Sequence, residues 1–268
     1  MNYADFLTDP ADIKEGFDGI LYGAPKSGKT STLDDDHLKV LLIDMEGGSS
    51  VLGGAKNVKR LSVPAIHKHL QQSQPDITKF EVLQGIWADI EDKKLTGFDL
   101  VASDSFTNFE TIVKEYVVAK YAPKRKREIA EKFGAQSDWG DLRTLIIGFV
   151  EAIHDRTKQG ADSINHLWLA HSMETKNEIT KAPDPTKIML QGSSTADVVM
   201  SIVDGLFYMI TSESDGKIQR GVYAQPNGHI VAATRQSKRE TPLPKFIKDP
   251  KWSVILYKLG YYNPPAKK

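Results

Sequence analysis

The sequence predicts an α/β fold: a mostly parallel sheet flanked by helices, with an antiparallel β extension toward the C-terminus. Three observations carry this expectation. First, residues 17–22 (FDGILY), 39–44 (KVLLID), 98–104 (FDLVASD) and 166–171 (HLWLAH) are short apolar runs closed by polar or turn residues, the pattern of strands buried on both faces. Second, helical patterns lie between them. Residues 78–92 space Phe80, Leu83, Ile86, Trp87 and Ile90 three and four apart, and residues 139–154 do the same with Leu142, Leu145, Ile146, Phe149 and Ile153. Third, residues 206–211, 217–223 and 229–234 follow one another with turns at 214–216 and 226–228 and no helix between them, which reads as an antiparallel meander. Residues 246–259 are expected to close the chain as a helix or helical turn, before a frayed NPPAKK tail. The expected division is a lead-in over 1–16, one core over 17–245, and a C-terminal helix and tail over 246–268.

Composition narrows the function. The chain has 268 residues, 35 Lys and Arg against 35 Asp and Glu, and no cysteine, so disulfides, thiolate metal sites and cysteine nucleophiles are excluded. Lack of cysteine is compatible with a reducing cytoplasm, where the protein is expected to act. The acidic start MNYADFLTDPADIKEGFDG lacks a signal-peptide layout, and no run approaches the ~18 apolar residues of a membrane helix. Zero net charge argues against a uniformly basic nucleic-acid binder but leaves local patches open.

The strongest chemical signal is Gly23-Ala24-Pro25-Lys26-Ser27-Gly28-Lys29-Thr30, which satisfies GxxxxGK[ST] directly after a predicted strand. Such a loop surrounds phosphate oxygens with backbone N–H groups at the start of a helix, where unpaired donors and the dipole favour an anion. Lys29 would reach the β- and γ-phosphates, Thr30 would place its hydroxyl on Mg²⁺, and the loop through Ser31 would hold the rest. Asp104 ends the run 98–104, as a metal-holding Walker B carboxylate does; its rival role is to cap a helix starting near Phe106. Asp99 is a weaker candidate. In LLIDMEGG, Glu46 lies just past the second strand, where a carboxylate can polarise an attacking water. The competing reading makes Glu46 a solvated loop residue and Asp44 a strand-end cap.

Taken in order, GAPKSGKT, IDMEGG, LVASDSF and LWLAHSMETK resemble the signature of RecA-like P-loop ATPases, and most closely that of the phage core-only recombinases of the Sak type. The likeness spans roughly residues 17–240. It implies a RecA-like core, Mg²⁺ and ATP as cofactors, and Glu46 as catalytic base. It also implies that His171 senses the γ-phosphate, and that Lys238 and Arg239, with Arg235 nearby, reach a neighbouring subunit's nucleotide. The family further implies single-stranded DNA as partner, a ring or other homo-oligomer, a place for a single-strand-binding protein, and the bacterial host cytoplasm if the chain is phage-encoded. Segment 172–191 would correspond to the DNA-facing second loop. Two departures stand out: the stretch after Thr30 is short and acidic, so the loop's helix should be brief, and no recognisable polymerisation domain precedes the core.

Two segments are candidate DNA contacts. Residues 120–133 hold six cations, Lys120, Lys124, Arg125, Lys126, Arg127 and Lys132, against two anions. Concentrated positive charge gives sequence-independent affinity for phosphates, and Tyr121, Phe133 and Trp139 interleave with it as in a single-strand groove. Residues 176–187, with Lys176, Lys181 and Lys187, form the second. Either could be a solvated face, with the aromatics in the core. Together with the resemblance, these features point to an ATPase that binds single-stranded DNA and promotes strand annealing or homologous recombination. Its rivals are a small-molecule P-loop kinase and an ATP-gated annealing module in which hydrolysis is incidental.

Overall fold

The computed structural model describes residues 15–121, 133–134, 136–160, 163–174, 183–214, 217–235 and 242–263. Its strands are β1 (Asp18–Gly23), β2 (Val40–Asp44), β3 (Val58–Ser62), β4 (Leu100–Asp104), β5 (His166–Met173), β6 (Lys187–Ile188), β7 (Gly205–Ser214), β8 (Lys217–Tyr223), β9 (Ala233–Thr234) and β10 (Phe246–Lys248). The helices are α1 (Val63–Leu70), α2 (Lys79–Glu91), α3 (Phe106–Tyr121), α4 (Gln136–Thr157), α5 (Ser193–Ile202) and α6 (Trp252–Leu259).

The sheet runs β10-β8-β7-β1-β5-β4-β2-β3. From β7 to β3 every neighbouring pair is parallel, while β8 and β10 add antiparallel strands beyond β7. Parallel strands place their C-terminal ends along one edge, where open α/β sheets bind ligands. In register there stand Asp44 beside Asp104, and Gly23 beside His171.

Alternation along β1 assigns its two faces. Ile20 and Tyr22 join the core formed with α2, α3, α4 and α5, whereas Leu21 joins the opposite core with Leu33, Leu38, Trp252, Ile255 and Leu256. On the first face Phe80 packs against Phe109, Tyr116 and Phe149 with ring centroids 4.8–6.3 Å apart. Thr78 opens α2 with a capping box closed by Glu81, which satisfies two orphan N–H groups at once.

Several expectations are corrected. The helix after the phosphate loop is brief, as expected, but it is a four-residue 3-10 turn, Thr30–Leu33, and not an α-helix. The strand over 229–234 shrinks to β9 and an isolated bridge between Asn227 and Ile230. The stretch 246–259 splits, its first residues pairing with β8 as β10 before α6 begins. β3, which the apolar pattern does not show, is a sheet-edge strand with Lys59 and Arg60 exposed.

At the N-terminal ends of β1 and β5, away from the site's edge, lies a buried polar chain. Ser103 Oγ and His166 Nε2 are 3.0 Å apart, and His166 Nδ1 is 3.0 Å from Asp18 Oδ1, with His154 Nδ1 3.4 Å from Oδ2. Ser103 is 1 % exposed and His166 and Asp18 0 %, so this Ser-His-Asp order has no access for a substrate and serves the fold. Burial pushes the Asp18 carboxyl up, but the two imidazoles outweigh it and hold it below the usual range. Asp18→Asn should therefore destabilise the protein by about 2 kcal/mol in chemical denaturation, because it weakens a buried charge-assisted hydrogen bond; an unchanged midpoint would contradict this role. No helix among the described residues is long and apolar enough to cross a membrane.

Candidate phosphate and metal site

Gly23 ends the central strand so close to β7 that a Cβ there would stand 2.6 Å from the Met209 carbonyl oxygen, and Gly28 takes φ +89°. Both positions accordingly require glycine. Between them Lys26 also adopts a left-handed backbone, at φ 62°. Ala24, Pro25, Ser27 and Ser31 complete the loop. Ser27 is 3 % exposed and its Oγ has no hydrogen-bond partner among the described residues, as befits a cradle whose natural partner is a phosphate oxygen.

Lys29, 6 % exposed, folds its ammonium onto the loop's own carbonyls, at 3.1 Å from Gly23 O and 2.9 Å from Ala24 O. Burial pulls this amine down to about 8, against the opposing pull of Asp104 and Glu46. Thr30 Oγ1 donates to Asp104 Oδ2 at 2.7 Å, so the hydroxyl and carboxylate expected to hold Mg²⁺ already meet. Burial raises the Asp104 carboxyl to about 6; the Thr30 hydrogen bond opposes this, and Glu46 and Asp44 add to it. Among the described residues no cluster of three His, Cys, Asp or Glu is arranged to hold a metal by itself. One hydroxyl and one carboxylate suit an ion that completes its shell with water and substrate phosphates, as Mg²⁺ does.

Glu46 is exposed and accepts a hydrogen bond from Ser105 Oγ. Its turn is shaped by Asp44, which accepts from the Glu46 and Gly47 N–H groups at 3.0 and 2.7 Å and from Ser49 Oγ at 2.6 Å, and pairs with Arg60 at 2.8 Å. Burial alone would raise the Asp44 carboxyl, but the Ser49, Gly47 and Arg60 contacts hold it below the usual range. Asn108 Nδ2 donates to Met45 O at 2.8 Å, and Met45 N to Asp104 O at 2.7 Å, tying the Glu46 turn to the end of β4. Asp99, by contrast, accepts from Lys39 N at 2.7 Å on the sheet's opposite edge. His171 stands beside Gly23 on β5; burial lowers its pKa and the nearby Lys29 lowers it further, so the imidazole is neutral at physiological pH.

Beyond His171, β5 pairs antiparallel with β6, Ser172 with Ile188 and Met173 with Lys187. Tyr22, one residue before the phosphate loop, hydrogen-bonds Thr186 at 2.9 Å and the Val231 carbonyl, so this hairpin stem is bonded to the loop's own strand. The candidate DNA contacts are less gathered. Lys120 binds Asp76 O at 3.2 Å and Glu81 at 3.3 Å, and Lys187 pairs with Asp197 at 2.7 Å. Phe133 and Trp139 pack edge to face, with the Lys114 ammonium over both rings. Tyr121 ends α3. Lys124, Arg125, Lys126, Arg127, Lys132, Lys176, Lys181, Lys238 and Arg239 lie outside the described residues. Arg235 pairs with Asp204 at 3.2 Å and donates to Ser201 O and Ile202 O at the end of α5.

Three residues escaped the sequence reading. Ser105 and Arg60 act through Glu46 and Asp44, and only the pairing of strands brings them there. Arg220, on β8, lies against Gly28.

A phosphate loop on the central strand, a carboxylate-ended strand two positions away and a glutamate past the next strand define a P-loop nucleotide-binding core. The chain belongs to a family of AAA domains (AAA_24), whose model matches residues 15–236. No curated protein matches it. Among solved structures it is similar to a RadB recombinase, with 15 % identity over 88 % of this chain and 87 % of that one and a TM-score of 0.40. Another is the flagellar accessory protein FlaH from Methanocaldococcus jannaschii, with 10 % identity over 88 % and 85 % and a TM-score of 0.42.

Proposed function

We propose that this protein is a Mg²⁺-dependent ATPase that acts on single-stranded DNA in strand annealing or homologous recombination, as a homo-oligomer of the kind the phage Sak-type recombinases form. The observation that carries the ATPase part is the convergence of Lys29, the Thr30–Asp104 pair, Glu46 and His171 on one edge of the sheet. Lys29 and the loop amides bind the phosphates. Thr30 and Asp104 would hold Mg²⁺, which would supply positive charge against the phosphates. Glu46 takes a proton from water as the water oxygen bonds the γ-phosphorus and the bond to the β-phosphate oxygen breaks, leaving ADP and phosphate. His171, neutral and beside the loop, begins the hairpin that supports the DNA part: a strand end next to the phosphates continues directly into segment 172–191, so nucleotide state and DNA contact share one element. Lys238 and Arg239 are assigned to a neighbouring subunit's nucleotide, and Lys120–Arg127 with Lys176, Lys181 and Lys187 to the DNA track.

The test is ATP hydrolysis with and without single-stranded DNA at two salt concentrations, alongside Lys29→Ala. DNA should stimulate turnover roughly tenfold or more, less so at higher salt because counterion release weakens, and the variant should show none. Hydrolysis indifferent to DNA would sink the recombination reading and favour a small-molecule acceptor.

A further inference from the structure

Arg220 belongs to none of the motifs in the chain, yet its side chain lies across the phosphate loop. A Cβ placed on Gly28 would meet its Nε at 2.4 Å and its Cδ and Cζ at 3.1 Å. Nε is buried without a hydrogen-bond partner among the described residues, an arrangement that costs free energy unless something else accepts from it. Next to it a cleft of about 140 Å³ opens, lined by Ser31, Thr32, Arg220, Asp249, Pro250 and Lys251.

The cleft walls are built. Thr32 Oγ1 donates to Lys29 O at 2.6 Å and accepts from Trp252 Nε1 at 3.0 Å, while Asp249 N donates to Arg220 O at 2.9 Å. The sheet order gives the direction. Glu46, Asp104 and His171 follow strands β2, β4 and β5 on one side of β1, whereas β7 and β8, which carries Arg220, lie on the other. A nucleotide with its γ-phosphate toward Glu46 must extend its nucleoside end toward Arg220. Electrostatics supply a reason for a cation here: the element after the loop is a single 3-10 turn, too short to lend the potential of a helix dipole, so a side-chain cation has a role to fill.

We propose that Arg220 is a nucleotide-binding residue of its own subunit, donating to the α- and β-phosphate oxygens, and that the cleft beside it receives the nucleoside. This rests on the loop being a nucleotide site. Equilibrium binding of a fluorescent mant-ADP, followed without turnover, tests it. Arg220→Ala should weaken binding roughly tenfold to a hundredfold, as expected for loss of charge-assisted hydrogen bonds. Arg220→Lys, which keeps the charge but loses the planar fork, should recover part of the loss and carries the test if the alanine variant does not fold. Wild-type affinity in both Arg220 variants, with binding lost in Lys29→Ala, overturns the role of Arg220 alone; no binding by the wild-type chain overturns the nucleotide site and Arg220 together.

Discussion

Glu46→Gln is expected to cut ATP turnover by two to three orders of magnitude, roughly the range of general-base catalysis, while ATP affinity stays within about threefold of wild type. The asymmetry follows from position. Glu46 is exposed at the end of the turn that Asp44 shapes and touches the protein through Ser105 Oγ, so glutamine can keep the hydrogen-bonded arrangement and lose only the basicity. The phosphate-holding groups, Lys29 and the loop amides, are untouched. Single-turnover hydrolysis beside nucleotide titration separates the two effects, and turnover within about fivefold of wild type would remove Glu46 as the base. The same variant decides whether hydrolysis matters to DNA work: annealing that survives in it marks ATP as an assembly switch, and annealing that stalls marks a cycle driven by turnover.

What was legible in the sequence depended on burial and on local spacing. β1, β2, β4 and β5 lie inside a parallel sheet, covered on both faces, so their apolar runs stand out. β3 runs along the sheet's edge with Lys59 and Arg60 exposed and has no apolar run to find. The phosphate loop is contiguous and was fully readable, as was Asp104 at its strand end. The helix after the loop is as brief as the acidic STLDDD implied, though 3-10 in form, and it is braced from outside by Trp252, Lys251 and Ser253. Arg60, Ser105 and Arg220 reach the site only through strand pairing or a side chain crossing a neighbouring loop. Arg220 in particular sits in KIQRGVY, an alternating strand whose sequence carries no hint that one of its side chains lies against Gly28.

Asp104→Asn should move stability and function in opposite directions. Burial, with Glu46 and Asp44 nearby, holds the Asp104 carboxyl at about 6 despite the Thr30 hydrogen bond. A carboxyl whose folded pKa lies above its unfolded value contributes stability that is fully present below the unfolded pKa and is lost as pH rises through the folded one. At about pH 7.5 the nucleotide-free protein thus carries an ionised, largely buried carboxylate at a net cost. Asparagine keeps an acceptor for Thr30 Oγ1 and removes the charge, so the variant should gain about 1–3 kcal/mol there, a few degrees in Tm. At pH 5, between the unfolded and folded pKa values, the gain should fall to about half, and it should vanish only below the unfolded carboxylate pKa of about 4. Metal binding runs the other way, because a neutral amide is a poor Mg²⁺ ligand. Mg²⁺ should no longer tighten nucleotide binding, and turnover should fall at least a hundredfold, comparable to removing a principal electrostatic group. Thermal melts at both pH values and nucleotide titrations with and without Mg²⁺ check each half. A variant less stable at about pH 7.5, or one equally stabilised at both pH values, would show that Asp104 is not held ionised against its surroundings. Retained Mg²⁺ dependence would move the metal to another ligand. If both halves hold, the buried carboxylate is a cost to the nucleotide-free fold that metal and nucleotide offset on binding.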